Sequence, residues 1–431
     1  MKIINKRLLV FLLLCFMLLS VSSVLGVENT HKPIANDLIT LLEKNPEIKD
    51  MLNESIMEAK KINPKKLTNP VQSIEEYYNF IDEFSQLIPQ QIIENPKNLV
   101  FDQILQSLCY FYFLVDQPIK QLDNKNLFKN NLQYYPPFSD WLRKLANTWG
   151  DFLDTTESWN EKAYNGFYSD PNFGLQKGWY ESPDNWKTFN EFFSRYLKSP
   201  DQRPIAFPEN DSVVVSPADS VPQGVWRIDN ESNIEVNEGL NIKNSVFFNV
   251  NELLSEDSEY KDAFTNGVLT HTFLNVFDYH RYHFAVGGLI KEVKIIQENV
   301  ALEASWDPDK KIYIPIDSTG WQFTQTRGYV VMETKDYGLV VLMPMGMAQV
   351  SSVNFEEDVK VGSVHKKGDM LGTFLFGGSD FIMLFQNKAG FEITAPVELK
   401  IHKNPQSDHG EIVTYFNHLL MGQEYGIMRG E

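Results

Sequence analysis

Cysteine is nearly absent from this chain of 431 residues: there are two, Cys15 and Cys109. Cys15 falls in an N-terminal run that reads as a removable leader, so Cys109 would stand alone. A lone cysteine forms no internal disulfide, and stability has to come from packing, which a chain of this length can supply. Positive charge is also short: 39 Lys and Arg face 57 Asp and Glu, for a net charge of -18. Such a surface excludes nucleic acid as a partner and opposes anionic membranes. It suits soluble cationic or zwitterionic substrates. Long apolar runs are absent apart from one, LLVFLLLCFMLLSV (8–21). This run follows the basic MKIINKR and precedes the small-residue stretch SSVLG, the order of a secretory signal with cleavage near Gly26. An uncleaved anchor is the alternative. Removal would take Lys2, Lys6 and Arg7 but no acid, moving the net charge from -18 to -21. Three Asn-x-Ser sequons, at Asn53, Asn210 and Asn230, fit a glycoprotein of the secretory pathway, secreted or held in an endomembrane lumen.

The remaining chain changes character near residue 200. Before it, the patterning is helical. FDQILQSLCYFYFLV (101–115) is apolar almost all round and reads as a buried helix. FSDWLRKLANTWGDFLDT (138–155) places Trp141, Leu142, Leu145, Trp149 and Phe152 on one stripe, read as core. Residues 156–187 are rich in Gly, Pro, Asn and aromatics and read as an irregular connection. Thr188 with Glu191 makes a capping box for a short helix carrying Phe192, Phe193, Tyr196 and Leu197, which Pro200 ends. After it, short alternating segments at 213–216, 267–276, 289–297, 310–316, 329–334, 338–345 and 347–355 read as strands. The expected class is α+β: a signal at 1–26, a helical domain at 27–187, and a β-rich sandwich or barrel-like domain at 188–431.

Three segments interrupt the β pattern with chemistry. SPADS carries Asp219, DYHRYHF carries His280 and His283, and FGGSD carries Gly378 and Ser379. A carboxylate, an imidazole and a hydroxyl are what a serine needs for activation. Each has a plainer reading: a turn-forming Asp, one packed and one surface His, a Gly-Gly-Ser corner. His271 could join His280 and His283 in a zinc hydrolase, but the spacing supports this weakly, and no metal is expected. No phosphate loop is present at Gly-Gly-Ser, because no Gly-Lys-Ser/Thr follows, and the Gly-x-Ser-x-Gly spacing of a nucleophile elbow is missing.

Together the three are far more specific. FNEFFSRYLKSPDQRPI (189–205), VVSPADS (214–220), FDYHRYHF (277–284), VLMPMGMAQVSSV (341–353) and KKGDMLGTFLFGGSDFIMLF (366–385) occur in the order of the phosphatidylserine decarboxylase family of pyruvoyl enzymes, which the chain resembles from 189 to about 390. WGDFLDTTES and the GWY segment that follows resemble the amino-terminal domain of that family's tryptophan-decarboxylase-like branch. The resemblance implies self-cleavage between Gly378 and Ser379. The Ser379 hydroxyl would attack the Gly378 carbonyl, and elimination and hydrolysis would leave a covalent pyruvoyl group on residue 379. By motif position His283 is the base, Asp219 orients it, and His280 supplies the proton that replaces the lost carboxylate, with Tyr279 a helper. The two cleaved chains would stay together, with a homodimer as a further possibility.

The implied activity is decarboxylation of an amino acid, aromatic ones included, through a Schiff base. The alternative is phosphatidylserine, which would require membrane contact. A non-catalytic binding protein on the same fold is a third reading, and it would run as one intact chain. Asp380 departs from the family pattern, where Thr or Ser often follows the pyruvoyl serine, and could slow elimination or act as a local base. Ser220, where Gly is frequent, is a milder departure.

Overall fold

Alternation along a strand sends successive side chains to opposite faces of a sheet. LVVLMPM and FIMLF are apolar on both alternations, so each must be covered on both faces. The computed structural model, which describes residues 31–92, 102–237, 245–316, 320–346, 352–403 and 410–430, shows how. The expected signal at 1–26 lies outside the described residues, as does the 347–351 part of the strand expected at 347–355.

Seven α-helices are described: α1 (Pro33–Lys44), α2 (Pro46–Ile62), α3 (Ile74–Phe84), α4 (Ile104–Phe113), α5 (Phe138–Leu153), α6 (Glu161–Ser169) and α7 (Phe189–Phe193). The strands that follow are β1 (Val213–Val215), β2 (Val221–Arg227), β3 (Asn233–Asn237), β4 (Ser245–Asn249), β5 (Val268–Phe273), β6 (Arg281–His283), β7 (Gly288–Ile296), β8 (Glu303–Asp307), β9 (Ile312–Ile316), β10 (Arg327–Glu333) and β11 (Leu339–Gly346). After these come β12 (Asn354–Phe355), β13 (Val364–His365), β14 (Met370–Thr373), β15 (Gly378–Phe385), β16 (Phe391–Ile393), β17 (Val397–Lys403), β18 (Gly410–Phe416) and β19 (Glu424–Met428).

Seven strands make one antiparallel sheet in the order β13-β7-β10-β11-β15-β5-β2. One face buries Val330, Leu342, Phe381, Met383 and Phe385 against Tyr282, Phe284, Leu371 and Phe374 of the β12-β14-β6 layer and its flank. The other buries Tyr329, Val331, Val341, Met343, Ile382 and Leu384 with Ile234 of the β3–β4 hairpin. The class is α+β, as read from the pattern. The sheet is open at β13 and β2, so no barrel closes and the β part is a layered stack.

The helices share a third core, centred on α4, whose residues are buried nearly all round. Trp141, Leu142, Leu145 and Trp149 of α5 enter it, with Phe152 half-buried. Cys109 lies inside it, and burial pushes its thiol up to about 12. Two departures from the sequence pattern matter. The stretch 156–187 contains a true helix, α6, opened by Asn160, whose side chain accepts from the Ala163 amide. Thr188 and Glu191 do form a capping box on α7, but that helix stops at Phe193. Tyr196 is exposed, and Leu197 pairs with Tyr180. The helical core also reaches into the β part. Tyr313 of β9 is buried in it, Gln106 of α4 bonds the Tyr313 backbone at both ends, and the Tyr112 hydroxyl donates to the Val300 carbonyl at 2.8 Å.

Candidate active site

The three chemistry-bearing segments meet at one end of the large sheet. β2 and β15 both pair antiparallel with β5, so they run parallel to each other and start at the same end. Asp219 sits just before β2, and Ser379 is the second residue of β15. Backbone bonds tie the segments together. The Leu274 amide donates to the Ser379 carbonyl at 2.7 Å, the His283 amide to the Pro217 carbonyl at 2.7 Å, and the Phe374 amide to the His280 carbonyl at 2.9 Å.

The Gly-Gly-Ser question has a structural answer. On β11, Met345 faces Asp380 and Gly346 faces Gly378, so the register shifts and Ser379 is the extra residue of a bulge. Bulges re-aim a side chain and strain the local ladder. Gly377, just before it, holds φ +99, a region that side chains rarely adopt. Phe376, one residue earlier, is buried among rings of α5 and α7: Trp149, Phe189 and Phe193 each stand edge-on to it with centroids 5.2 Å away. The bond between Gly378 and Ser379 therefore lies between an aromatic anchor and the start of a core strand. The Ser379 side chain makes no hydrogen bond to a described residue, and the residue is 8% exposed.

His283 is fully enclosed. Its Nδ1 lies 2.9 Å from the Gly368 carbonyl oxygen and its Nε2 3.2 Å from the Tyr279 hydroxyl. A carbonyl can only accept, so Nδ1 carries the proton and Nε2 holds the lone pair. Burial pushes its pKa down to about 4, against the Gly368 bond and the Asp219 charge. The ring is neutral at pH 7, and its basic nitrogen Nε2 accepts from the Tyr279 hydroxyl.

Asp219 corrects the sequence expectation. It does not hydrogen-bond His283. Arg203 clamps it in a two-pronged pair, Nε to Oδ1 at 2.8 Å and an Nη to Oδ2 at 2.6 Å, and the Met421 amide donates to Oδ1 at 2.8 Å. The fork of a guanidinium matches a carboxylate better than an imidazole does. Asp219 acts on His283 through its charge, while Gly368 and Tyr279 set the ring's orientation.

His280 is buried and stacked on Phe193 with centroids 3.9 Å apart. Its Nδ1 is 2.9 Å from the Asp278 carbonyl, and its Nε2 is buried with no partner among the described residues. Burial pushes its pKa down to about 3, helped by the nearby Arg195 cation. In this state Nε2 accepts a proton; to act as the expected acid it must first receive one. His271 stands apart. Its Nε2 is 3.1 Å from Oδ1 of Asp380, so the zinc grouping of His271 with His280 and His283 is not assembled, and no metal-holding group occurs among the described residues. Asp380 is fully buried, and burial raises its pKa against the opposing effect of His271. It is tied to His271 rather than left free beside residue 379.

Sequence reasoning assigned no role to several residues that build the site. Arg195 lies over the Tyr180 ring and donates to the Phe277 and Asp278 carbonyls, bracing the segment that carries both histidines. His418 pairs with Asp278 at 2.9 Å; burial lowers its pKa, but the Asp278 bond and charge prevail and raise it. Arg203 and Arg195 stood inside a quoted motif, but only burial reveals that they are struts. Nothing near His418 in the sequence marks it.

A family model described as phosphatidylserine decarboxylase matches residues 189–412. Among curated relatives, Decarboxylase iboD of Amanita muscaria is 26% identical over 299 residues, covering 62% of this chain and 82% of that protein. Phosphatidylserine decarboxylase proenzyme 2 of Oryza sativa subsp. japonica is 33% identical over 207 residues, which is 48% of this chain and 30% of that protein. The phosphatidylserine decarboxylase proenzyme of Fusobacterium nucleatum is 28% identical over 261 residues, 59% of this chain and 79% of its own length.

Proposed function

The chain belongs to the phosphatidylserine decarboxylase family, and on that premise we propose that it cuts itself between Gly378 and Ser379 and then decarboxylates a soluble amino acid. It is a carboxy-lyase whose prosthetic group is a pyruvoyl carried by its own chain. The observation that carries the cleavage site is the bulged Ser379, preceded by glycine at the start of a core strand; His283, neutral and buried, is the base that the motif assigns to it.

In maturation, His283 Nε2 takes the Ser379 hydroxyl proton as the oxygen attacks the Gly378 carbonyl carbon. The C–N bond breaks and an ester forms. Loss of the α-proton then expels the Gly378 carboxylate, and water replaces the nitrogen, which leaves as ammonia. Protonating His283 inside the protein is costly, and the Asp219 charge offsets part of that cost. Arg203 holds Asp219 in place through its two-pronged bond. The residues present fit the group, which supplies an electron sink for a substrate amine. The proton donor in this reading is His280, whose ring stacks on Phe193 and whose Nε2 has no partner among the described residues; it would receive a proton and pass it to the substrate carbon.

One fact favours an amino acid over a phospholipid: the net charge of -18 opposes docking on anionic lipid. One observation favours phosphatidylserine: Val361, on the turn before β13, and Val364, the first residue of β13, are 65% and 73% exposed between Lys360 and Lys366, an apolar foot with basic flanks for a membrane. Carbon dioxide release from matured protein decides. The proposal expects release from a free amino acid and none from phosphatidylserine vesicles; the reverse result would install the lipid.

We also propose a secretory route. Asn210 and Asn230 lie exposed outside helices and strands, whereas Asn53 sits within α2. A glycosidase-sensitive mass at Asn210 or Asn230 in protein from its own cells is expected; an unprocessed N-terminus with no glycan would sink the idea.

A further inference from the structure

Asp380 follows Ser379 directly, yet it serves the opposite face of the sheet. Alternation along β15 puts Phe381 and Met383 in the core beside the β6 layer, and Ile382 and Leu384 in the core on the other face. Asp380 shares the alternation of Ile382 and Leu384, so its carboxyl lies behind the bond to be cut, away from the layer that carries His283. There it pairs with His271 of β5, Nε2 to Oδ1 at 3.1 Å. Its side chain is wholly buried, and Oδ2 has no partner among the described residues. A carboxylate in such a place is half satisfied, and burial favours its protonated form.

His271 connects this carboxyl to solvent. Its side chain is 10% exposed, and it lines a cavity of about 190 Å³ on the same face, whose rim carries the exposed Gln223. Its Nδ1 makes no hydrogen bond to a described residue. A ring with its proton on Nε2 donates to Asp380. A second proton, taken from water at Nδ1, lets the Nε2 proton pass to Oδ1. The pair then goes from one negative charge to none, and His271 ends with its proton on Nδ1. No other residue lining the cavity is charged. The ladder neighbours of Asp380, Met345 on β11 and Phe273 on β5, are uncharged too. Arg327 lies one strand beyond Met345, but its guanidinium is turned to the Glu252, Leu253 and Gln325 carbonyls and to Glu298.

We propose that Asp380 sets the rate of self-cleavage through its charge, and that His271 sets the pH at which that charge is lost. The reason is distance and sign. Gly378 and Asp380 are two residues apart, at most roughly 7 Å at 3.3 Å per residue. Attack on the Gly378 carbonyl builds negative charge on its oxygen, and the elimination that follows expels a carboxylate from the same residue. A buried negative charge this close opposes both steps, and a neutral Asp380 removes the opposition. Asp380 is a positioning residue in this sense: it touches none of the reacting atoms and acts on them through its field. This control deepens the self-cleavage reading and rests on it.

The test uses the full chain, synthesised cell-free and moved into buffers between pH 5 and 8.5, with the full-length band followed in time. Asp380→Asn keeps the shape without the charge, Asp380→Thr puts a smaller neutral side chain there, and His271→Leu removes the partner. At pH 8.5 both neutral variants are expected to mature at least tenfold faster than wild type. Wild type is expected to speed up as pH falls, closing the gap, while Asp380→Asn does not. His271→Leu is expected to move the wild-type rise to higher pH, because His271 favours the ionised form of Asp380. Loss of a merely structural partner would instead slow maturation at every pH, and that result overturns the part given to His271. If neither neutral variant outpaces wild type at pH 8.5, or if the wild-type and Asp380→Asn profiles run parallel, the control by Asp380 is overturned while self-cleavage stands. A wild type that stays whole at every pH, together with all three variants, removes self-cleavage and its control alike.

Discussion

At the scale of single residues the site is governed by burial. His283 and His280 are held neutral inside the protein, with pKa values pushed down to about 4 and about 3. An unfolded histidine titrates near 6.5, so the unfolded chain binds more protons than the folded one between that pH and the folded values. The stability that neutrality contributes is present above about 6.5 and is lost as pH falls toward 4, by up to ~3 kcal/mol per histidine. Thermal melts between pH 7 and 4 should show a steadily falling midpoint. That fall should be smaller in a His280→Phe variant; an equal fall would place the acid sensitivity elsewhere.

The Arg203–Asp219 pair makes a second residue-scale prediction. Both partners are buried, so removing one leaves an uncompensated charge, at about 3–5 kcal/mol. Denaturant titration should show Arg203→Met losing that much, with Asp219→Asn added to it restoring part. Additive losses would mean that the two do not act as a pair. At this scale the sequence showed which residue types carry chemistry, by motif. It did not show that Asp219 is committed to Arg203, because a carboxylate's choice among buried cations is settled by packing.

The element that matters most is the turn into β15. Gly377 at φ +99, the bulge at Ser379 and the Phe376 anchor together fix the peptide proposed as the site of the cut. A Gly377→Ala substitution forces a side chain into a region costing about 1–3 kcal/mol. It should slow self-cleavage, read as persistence of the full-length band with time. Phe376→Ala should do the same by freeing the upstream side, and Phe376→Tyr, which keeps the ring, should restore most of the rate. If Phe376→Ala matures as fast as wild type, the anchor has no part in positioning. Much of this element was legible: two apolar strand runs broken by Gly-Gly-Ser announce a corner with a special backbone. The bulge itself was not, since it depends on the register of β11, a partner that no local pattern names. The helix α6 was missed for a local reason. Its cap at Asn160 is a single residue inside a stretch otherwise rich in helix breakers.

Over the whole molecule, the division into a helical part and a β part was visible as a change of hydrophobic period near residue 200. The way they interlock was not. Tyr313 from the β part is buried in the helical core, and Phe376 joins that core two residues before the cut. Long-range contacts of this kind leave no local signature. They imply that the helical half is part of the maturation machinery rather than an appendage. The central claim is that this chain converts Ser379 into a pyruvoyl by cutting itself, and intact mass spectrometry of the purified protein beside Ser379→Ala tests it most directly. The account predicts that wild type yields two chains, one ending at Gly378 and one spanning residues 379–431 with the mass of an N-terminal pyruvoyl, while the variant stays whole. A wild type that stays a single chain under every folding condition would contradict it, and Gly-Gly-Ser would then be only a corner.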